Sequence, residues 1–167
     1  MLGKKLLTRC VLVIFVASLA WAVASSPASA AAIDAYVSKY LQATEPVELD
    51  FNDRGETKLF SAEDLSVGKR LFGENCLNCH VGGSTLPDPR VPLSLEALKG
   101  ATPPRDNISA LVAYQRQPTT YDGGYDNFWC REVPESWLPT EKLEKLSAFI
   151  LRAAQKAPGW GTERFDD

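Results

Sequence analysis

The stretch Cys76-Leu77-Asn78-Cys79-His80 decides the fold of this chain. Two cysteines three residues apart on a helical turn present both thiols on one side of the chain, and a histidine follows directly. Thiols in this arrangement can add to the two vinyl groups of one porphyrin, and the imidazole can then reach the iron. The stretch therefore predicts one covalently bound haem c per chain, held by Cys76 and Cys79, with His80 as the proximal iron ligand.

A Cys-x-x-Cys pair also occurs in redox disulfides and as half of a zinc site. A zinc site would need a second such pair or two distant histidines, and the chain has one histidine, His80, and no second Cys-x-x-Cys pair. A thioredoxin-like motif belongs next to a βαβ unit, which the sequence does not predict. The haem interpretation is favoured over both alternatives.

The N-terminal residues have the pattern of a secretory signal peptide. Three basic residues among the first nine precede the uncharged apolar stretch Val11–Ala24, and Ala28-Ser29-Ala30 supplies the small residues of a cleavage site. An uncleaved anchor helix is the alternative, but the apolar stretch of about 14 residues is shorter than the roughly 20 that span a bilayer. We expect residues 1–30 to be cleaved off and the protein to be exported.

Residues 31–167 then remain as one monohaem cytochrome c domain, a length that suits a single core. The whole chain has a net charge of −3, and the leader carries basic but no acidic residues, so the remaining domain is more acidic still. Such a domain lacks the basic surface that binds nucleic acid or anionic lipid. We predict no nucleic-acid partner and a peripheral contact with a membrane at most.

The sequence pattern predicts a mostly α fold of the class I cytochrome c type with an N-terminal β-hairpin. Apolar residues alternate with polar ones around a turn-rich centre over residues 47–60, which favours the hairpin. Ser61 and Asn107 are predicted caps of helices that run toward Cys76 and Arg116, and Thr140 is the predicted cap of the last helix. Short helical segments are expected near residues 33–41 and 95–99.

Gly68 and Phe72 lie on one face of the helix that leads into the attachment stretch. A glycine lets a second helix approach closely, and a phenylalanine can pack at the crossing. We expect the last helix to cross here, with Phe149 or Ile150 in contact.

Four stretches carry a resemblance to a known family. They are Gly68-Lys69-Arg70-Leu71-Phe72, Cys79-His80-Val81-Gly82-Gly83, the run ATPPRDN at residues 101–107 and PTTYDG at residues 118–123. With these stretches the sequence resembles the cytochrome c-550 family of photosystem II, closely over residues 61–123 and more loosely on either side.

The resemblance implies a low-potential haem, a location in the thylakoid lumen, and photosystem II lumenal subunits or another redox protein as partners. In that family a second histidine after the YDG segment is the distal iron ligand. This chain has no such histidine, and Cys130 stands about where it would fall. The sequence is therefore identified as a divergent c-550-like paralogue within the family.

The distal iron ligand can also be sought by elimination. Methionine and histidine are the usual distal ligands of c-type haems, but the chain has only Met1, in the leader, and His80. Cys130 is the third cysteine left after cleavage, and we predict that it binds the iron as a thiolate. Open alternatives are a nearby tyrosine or lysine, or five-coordinate or water-ligated iron with Cys130 buried or in an intermolecular disulfide.

Three functions follow from these residues. The first is a non-enzymatic electron carrier, because a haem iron with both axial positions filled has no place for a substrate. The second is an extrinsic structural subunit that docks on the lumenal face of photosystem II. The third is a gas sensor or enzyme with a displaceable distal ligand, in which Arg105 or Tyr121 would be a polar group near the iron.

Overall fold

The computed structural model describes residues 33–87 and 89–162, so the predicted signal peptide lies outside the described residues. Within these ranges the chain forms one β-hairpin and five α-helices, and no helix there has the length and apolar character needed to cross a membrane. The elements are α1 (Ala35–Lys39), β1 (Val47–Asp50), β2 (Thr57–Phe60), α2 (Ala62–Asn75), α3 (Leu95–Gly100), α4 (Ile108–Arg116) and α5 (Thr140–Lys156). The predicted mostly α fold with an N-terminal hairpin is confirmed.

The hairpin is antiparallel and pairs Val47 with Phe60 at its open end. Its turn is held by the side chain of Asn52, whose Oδ1 accepts a hydrogen bond from the backbone amide of Arg54 at 3.0 Å. Leu49 and Phe60 are buried, because alternate residues of a strand face the same side. This buried side joins the hairpin to the helical core.

Ser61 caps helix α2, as the sequence predicts, and the structure adds a reciprocal hydrogen bond with Asp64 that completes a capping box. Ser61 Oγ accepts a hydrogen bond from the Asp64 amide at 3.1 Å, and the Asp64 carboxylate accepts one from the Ser61 amide at the same distance. Lys145 of α5 places its Nζ 3.1 Å from the same carboxylate. Burial raises the pKa of Asp64, but the Ser61 amide and Lys145 lower it and prevail, so its pKa lies below the ordinary value.

The crossing of α2 and α5 at Gly68 is confirmed. A Cβ atom added at Gly68 would lie 2.0 Å from the carbonyl oxygen of Lys145 and 2.9 Å from Phe149 Cβ. One turn further along α2, the ring centroids of Phe72 and Phe149 are 5.4 Å apart. Because any side chain at residue 68 would overlap the backbone of α5, glycine sets the distance between the two helices.

Helix α4 packs on α5 through a buried polar contact. Asn107 caps α4 as predicted, with its Oδ1 accepting from the Ala110 amide at 2.9 Å. Near the other end of α4, Gln115 Nε2 donates to Ser147 Oγ at 2.9 Å. Both side chains of that pair are buried, and a buried pair with complementary donor and acceptor fixes the register of the two helices.

The predicted cap of α5 is wrong by one residue. Thr140 is the first helical residue, and Pro139 occupies the cap position, where it offers no side-chain hydrogen bond. The carboxylate of Glu135 takes the capping role, since its Oε1 accepts from the Thr140 amide at 2.8 Å. The threonine hydroxyl donates to the same carboxylate, also at 2.8 Å.

Replacing Gly68 by Leu should lower the free energy of unfolding by about 1–3 kcal/mol or more, because the new side chain overpacks the α2–α5 crossing. Chemical denaturation followed by circular dichroism measures the change. Gly73 is the matched control, since it lies in the same helix and a Cβ there would meet nothing within 4 Å. Gly73→Ala should instead stabilise the protein by up to about 1 kcal/mol. Equal stabilities for Gly68→Leu and the wild type would contradict the packing.

Candidate functional site

Three of the four predicted site residues, all but Cys76, line one cavity of about 290 Å³. Cys79 and His80 line it from the attachment stretch, and Cys130 lines it from the segment between α4 and α5. Arg105 and Tyr121, the polar groups considered from the sequence, lie on its wall as well. Most of the remaining wall is apolar, including Pro87, Pro89, Val91, Pro92, Leu93 and Leu98.

The attachment stretch continues α2 as a turn. The amides of Cys79 and His80 both donate to the carbonyl of Cys76, at 3.1 and 3.0 Å. Cys76 itself ends α2 and packs against the apolar core. Burial raises the pKa of the Cys76 thiol to about 12, and the neighbouring sulfurs of Cys130 and Cys79 add to this rise. None of the three is in a disulfide, so the thiols gather at this site in their free form.

The hydrogen bonds around His80 fix which of its ring nitrogens carries the proton. His80 Nδ1 lies 3.0 Å from Thr85 Oγ1, and the Thr85 hydroxyl donates to the carbonyl oxygen of Val91. A hydroxyl has a single proton, so Thr85 must accept from Nδ1–H of the histidine. The lone pair of the neutral ring is therefore on Nε2, the nitrogen that remains free to bind a metal.

His80 is also held in its neutral form. Burial lowers its pKa below the ordinary value and outweighs a backbone hydrogen bond with Ser84 that raises it. A neutral imidazole with a free Nε2 is the form that ligates iron.

The loop after His80 is fastened by the C-terminal part of the chain. Gly83 adopts a left-handed conformation with φ of 80°, and a Cβ there would lie 2.5 Å from the Trp160 indole. The indole Nε1 donates to the Leu93 carbonyl at 2.9 Å, and the Leu93 amide donates to Gly83 at 2.7 Å. The amide of Gly161 donates to Gly82 at 2.8 Å. Together these contacts fix the loop that supplies Thr85.

Cys130 lies in an irregular segment that is anchored on both sides. Before it, the amide of Asn127 donates to the Pro118 carbonyl at 2.9 Å. After it, the amide of Val133 donates to Gln115 of α4 at 2.9 Å. These long-range backbone bonds place Cys130 at the cavity although no helix or strand carries it.

Burial and three neighbours act on the Cys130 thiol. Burial raises its pKa above the ordinary value and prevails over a hydrogen bond with Tyr114 and the positive charge of Arg105, which lower it; the Cys79 sulfur adds to the rise. Arg105 is 9% exposed, donates to the Thr120 carbonyl at 2.7 Å and lies 4.0 Å from the centre of the Tyr114 ring. Within the described ranges no carboxylate forms an ion pair with Arg105. A thiolate at Cys130 would give this buried cation a nearby negative charge.

The site suits the haem that the sequence predicts. A neutral imidazole with a free Nε2 and a cysteine sulfur face one cavity, and two further thiols stand on the turn that carries the histidine. Imidazole and thiolate are both axial ligands of haem iron, and apolar walls suit the face of a porphyrin.

Sequence reasoning missed Thr85 and Tyr114. Thr85 lies in a stretch rich in glycine and proline, where no periodic pattern marks one residue above another. Tyr114 left a weak signal, because it follows Leu111 by three positions in α4 and both line the cavity. This helical spacing is the only sequence signal that could have placed Tyr114 on the cavity face of α4.

Comparison with known sequences identifies the relatives of this chain. The Cytochrome c-550 domain matches residues 36–167. A cytochrome c-550-like protein of Thermosynechococcus vestitus (strain NIES-2133 / IAM M-273 / BP-1) is 63% identical over 150 residues, which cover 89% of this chain and 86% of the relative. The photosystem II extrinsic protein V of Gloeobacter violaceus (strain ATCC 29082 / PCC 7421) is 49% identical over 138 residues, 83% of this chain and 74% of that protein.

Two solved structures share the fold. The crystal structure of the PsbV2 cytochrome from the cyanobacterium Thermosynechococcus elongatus aligns with a TM-score of 0.77 and 65% identity, over 78% of this chain and all of that one. The crystal structure of cytochrome c549 aligns with a TM-score of 0.57 and 34% identity, over 65% of this chain and 90% of that one. These likenesses confirm the predicted cytochrome fold.

Proposed function

Because this chain belongs to the cytochrome c-550 family, we propose that it is an exported monohaem c-type cytochrome that carries electrons at low potential in photosynthesis. One observation supports this proposal above the others. His80 presents a free Nε2, and Cys130 presents its sulfur, to the same largely apolar cavity beside the attachment thiols.

Each residue has a separate role in holding one haem c. The sulfurs of Cys76 and Cys79 would hold the haem through thioether bonds to its two vinyl groups, and His80 Nε2 and the Cys130 sulfur would bind its iron. Haem iron bound in this way takes up and releases single electrons. The apolar walls exclude water from the site, and the Thr85 hydroxyl holds the imidazole in its ligating tautomer.

The ligand pair favours electron transfer over catalysis. When the chain itself supplies both axial ligands, no position is left for a substrate or for oxygen. A thiolate is a strong anionic donor that stabilises ferric iron, so the reduction potential should be low. The gas-sensor alternative would require Cys130 to leave the iron.

We also propose a location and a processing route. Residues 1–30 are the cleaved signal peptide, residues 31–167 are the functional domain, and the mature protein resides in the thylakoid lumen. Its partners are photosystem II lumenal subunits or another redox protein. A structural role on photosystem II is the second candidate function, supported by the name of the Gloeobacter violaceus relative.

The haem should be covalently attached, one per chain, because two thiols flank the proximal ligand at the spacing of the porphyrin vinyl groups. Acid-acetone extraction of the purified protein should leave the pigment on the polypeptide. A variant with both Cys76→Ala and Cys79→Ala is the control and should release any haem that it binds. Free extraction of the pigment from the wild type would overturn the proposal.

Replacing Cys130 by Ser should change the ferric optical and paramagnetic resonance spectra and raise the reduction potential, because serine is a poor substitute for thiolate at iron. The ferrous variant should also bind carbon monoxide more readily, since its distal position is open. Wild-type spectra in this variant would show that Cys130 is not the ligand.

Replacing Thr85 by Val should raise the reduction potential and broaden the ferric resonance spectrum. Without its acceptor, the His80 Nδ1–H gives the imidazole less donor strength and a less fixed orientation. Redox titration and low-temperature paramagnetic resonance measure both effects. Ser84→Ala is the matched control, because that hydroxyl donates to the Thr162 carbonyl and not to the ring. Equal potentials for Thr85→Val and the wild type would contradict this role of Thr85.

A further inference from the structure

Tyr114 is a cavity residue that the proposed haem ligation does not use. It projects from α4 into the same cavity as Cys130, and it is partly buried. A phenol at an iron site can pack against the haem, or it can hydrogen-bond to a ligand. Its neighbours decide between these roles.

The position of Tyr114 is fixed at its hydroxyl and at its ring. Asn127 Nδ2 donates to Tyr114 Oη at 3.3 Å, and the Arg105 guanidinium lies 4.0 Å from the ring centre. The orientation of the Asn127 amide is also determined, since its Oδ1 accepts from the Trp129 amide at 3.0 Å. The nitrogen of Asn127 is therefore the atom that faces the tyrosine.

These contacts assign the direction of the next hydrogen bond. Because the Tyr114 oxygen accepts from Asn127, its own proton is available for another acceptor. The sulfur of Cys130 lines the same cavity and is the hydrogen-bonding neighbour of Tyr114.

We propose that Tyr114 is a positioning residue for Cys130: its O–H donates to the Cys130 sulfur and limits the electron density that the thiolate gives to the haem iron. This inference rests on the proposed function, in which Cys130 is the distal ligand. Hydrogen bonds to a ligating sulfur raise the reduction potential, because they stabilise charge on the sulfur and weaken its donation to ferric iron. The buried Arg105 beside the ring adds a fixed positive charge that acts in the same direction.

The test is Tyr114→Phe in the full haem-loaded chain, which keeps the ring against Arg105 and removes only the hydroxyl. The reduction potential should fall, and the ferric optical and resonance spectra should shift. Tyr125→Phe is the control, because Tyr125 is exposed and does not line the cavity. It should leave the potential unchanged. A wild-type potential and spectrum in Tyr114→Phe would overturn the inference.

A double mutant separates this inference from the proposed function. If Tyr114 acts through Cys130, then Tyr114→Phe should shift the potential in the wild type but produce no further shift in Cys130→Ser. An equal shift in both backgrounds would show a packing role and overturn the inference. If Cys130→Ser alone has wild-type spectra, the proposed ligation fails first.

A second variant covers the case in which Tyr114→Phe does not accumulate. Asn127→Ala removes the donor that orients the phenol while leaving the tyrosine in place. The potential should shift in the same direction as in Tyr114→Phe, by a smaller amount, because the O–H is then free to turn from the sulfur. An unchanged potential in Asn127→Ala would count against the inference.

Discussion

The close approach of α2 and α5 at Gly68 determines where the rest of the molecule can lie. Helix α2 ends at the attachment stretch, so the distance between the helices also sets the depth of Cys76 beside the core. Helix α5 in turn holds α4 through the buried pair of Gln115 and Ser147. One wall of the cavity follows α2 and the other surrounds α4. Helix α5 therefore positions both walls.

The two proposed iron ligands are supported by hydroxyl groups that act in opposite senses. Thr85 accepts a hydrogen bond from the Nδ1–H of His80 and increases the strength of the imidazole as an electron donor. Tyr114 donates to the sulfur of Cys130 and reduces the strength of the thiolate. Each hydroxyl is itself oriented by a further contact, from Val91 on one side and Asn127 on the other. The reduction potential of the site then depends on the balance between the hydrogen bonds made by these two neutral side chains.

Local rules predicted most of the helices but did not identify Thr85 and Tyr114 of the candidate site. Apolar spacing and capping residues such as Ser61 and Asn107 act within a few positions, so the sequence displays them directly. Thr140 was wrong as a cap because its amide and its hydroxyl both donate to the Glu135 carboxylate, and the helix begins at this residue. Cys130 was selected by its residue type and by its position, about where the family has its second histidine. Its placement at the cavity depends on contacts between distant segments, such as Val133 with Gln115, which leave no periodic signal.

The contact of Trp160 with Gly83 ties the histidine-bearing loop to residues near the end of the chain. During synthesis the loop emerges well before its partner. A chain that stops short of Trp160 lacks both the indole ring over Gly83 and the hydrogen bond to Leu93. These contacts of the histidine-bearing loop can therefore form only after Trp160 has been translated.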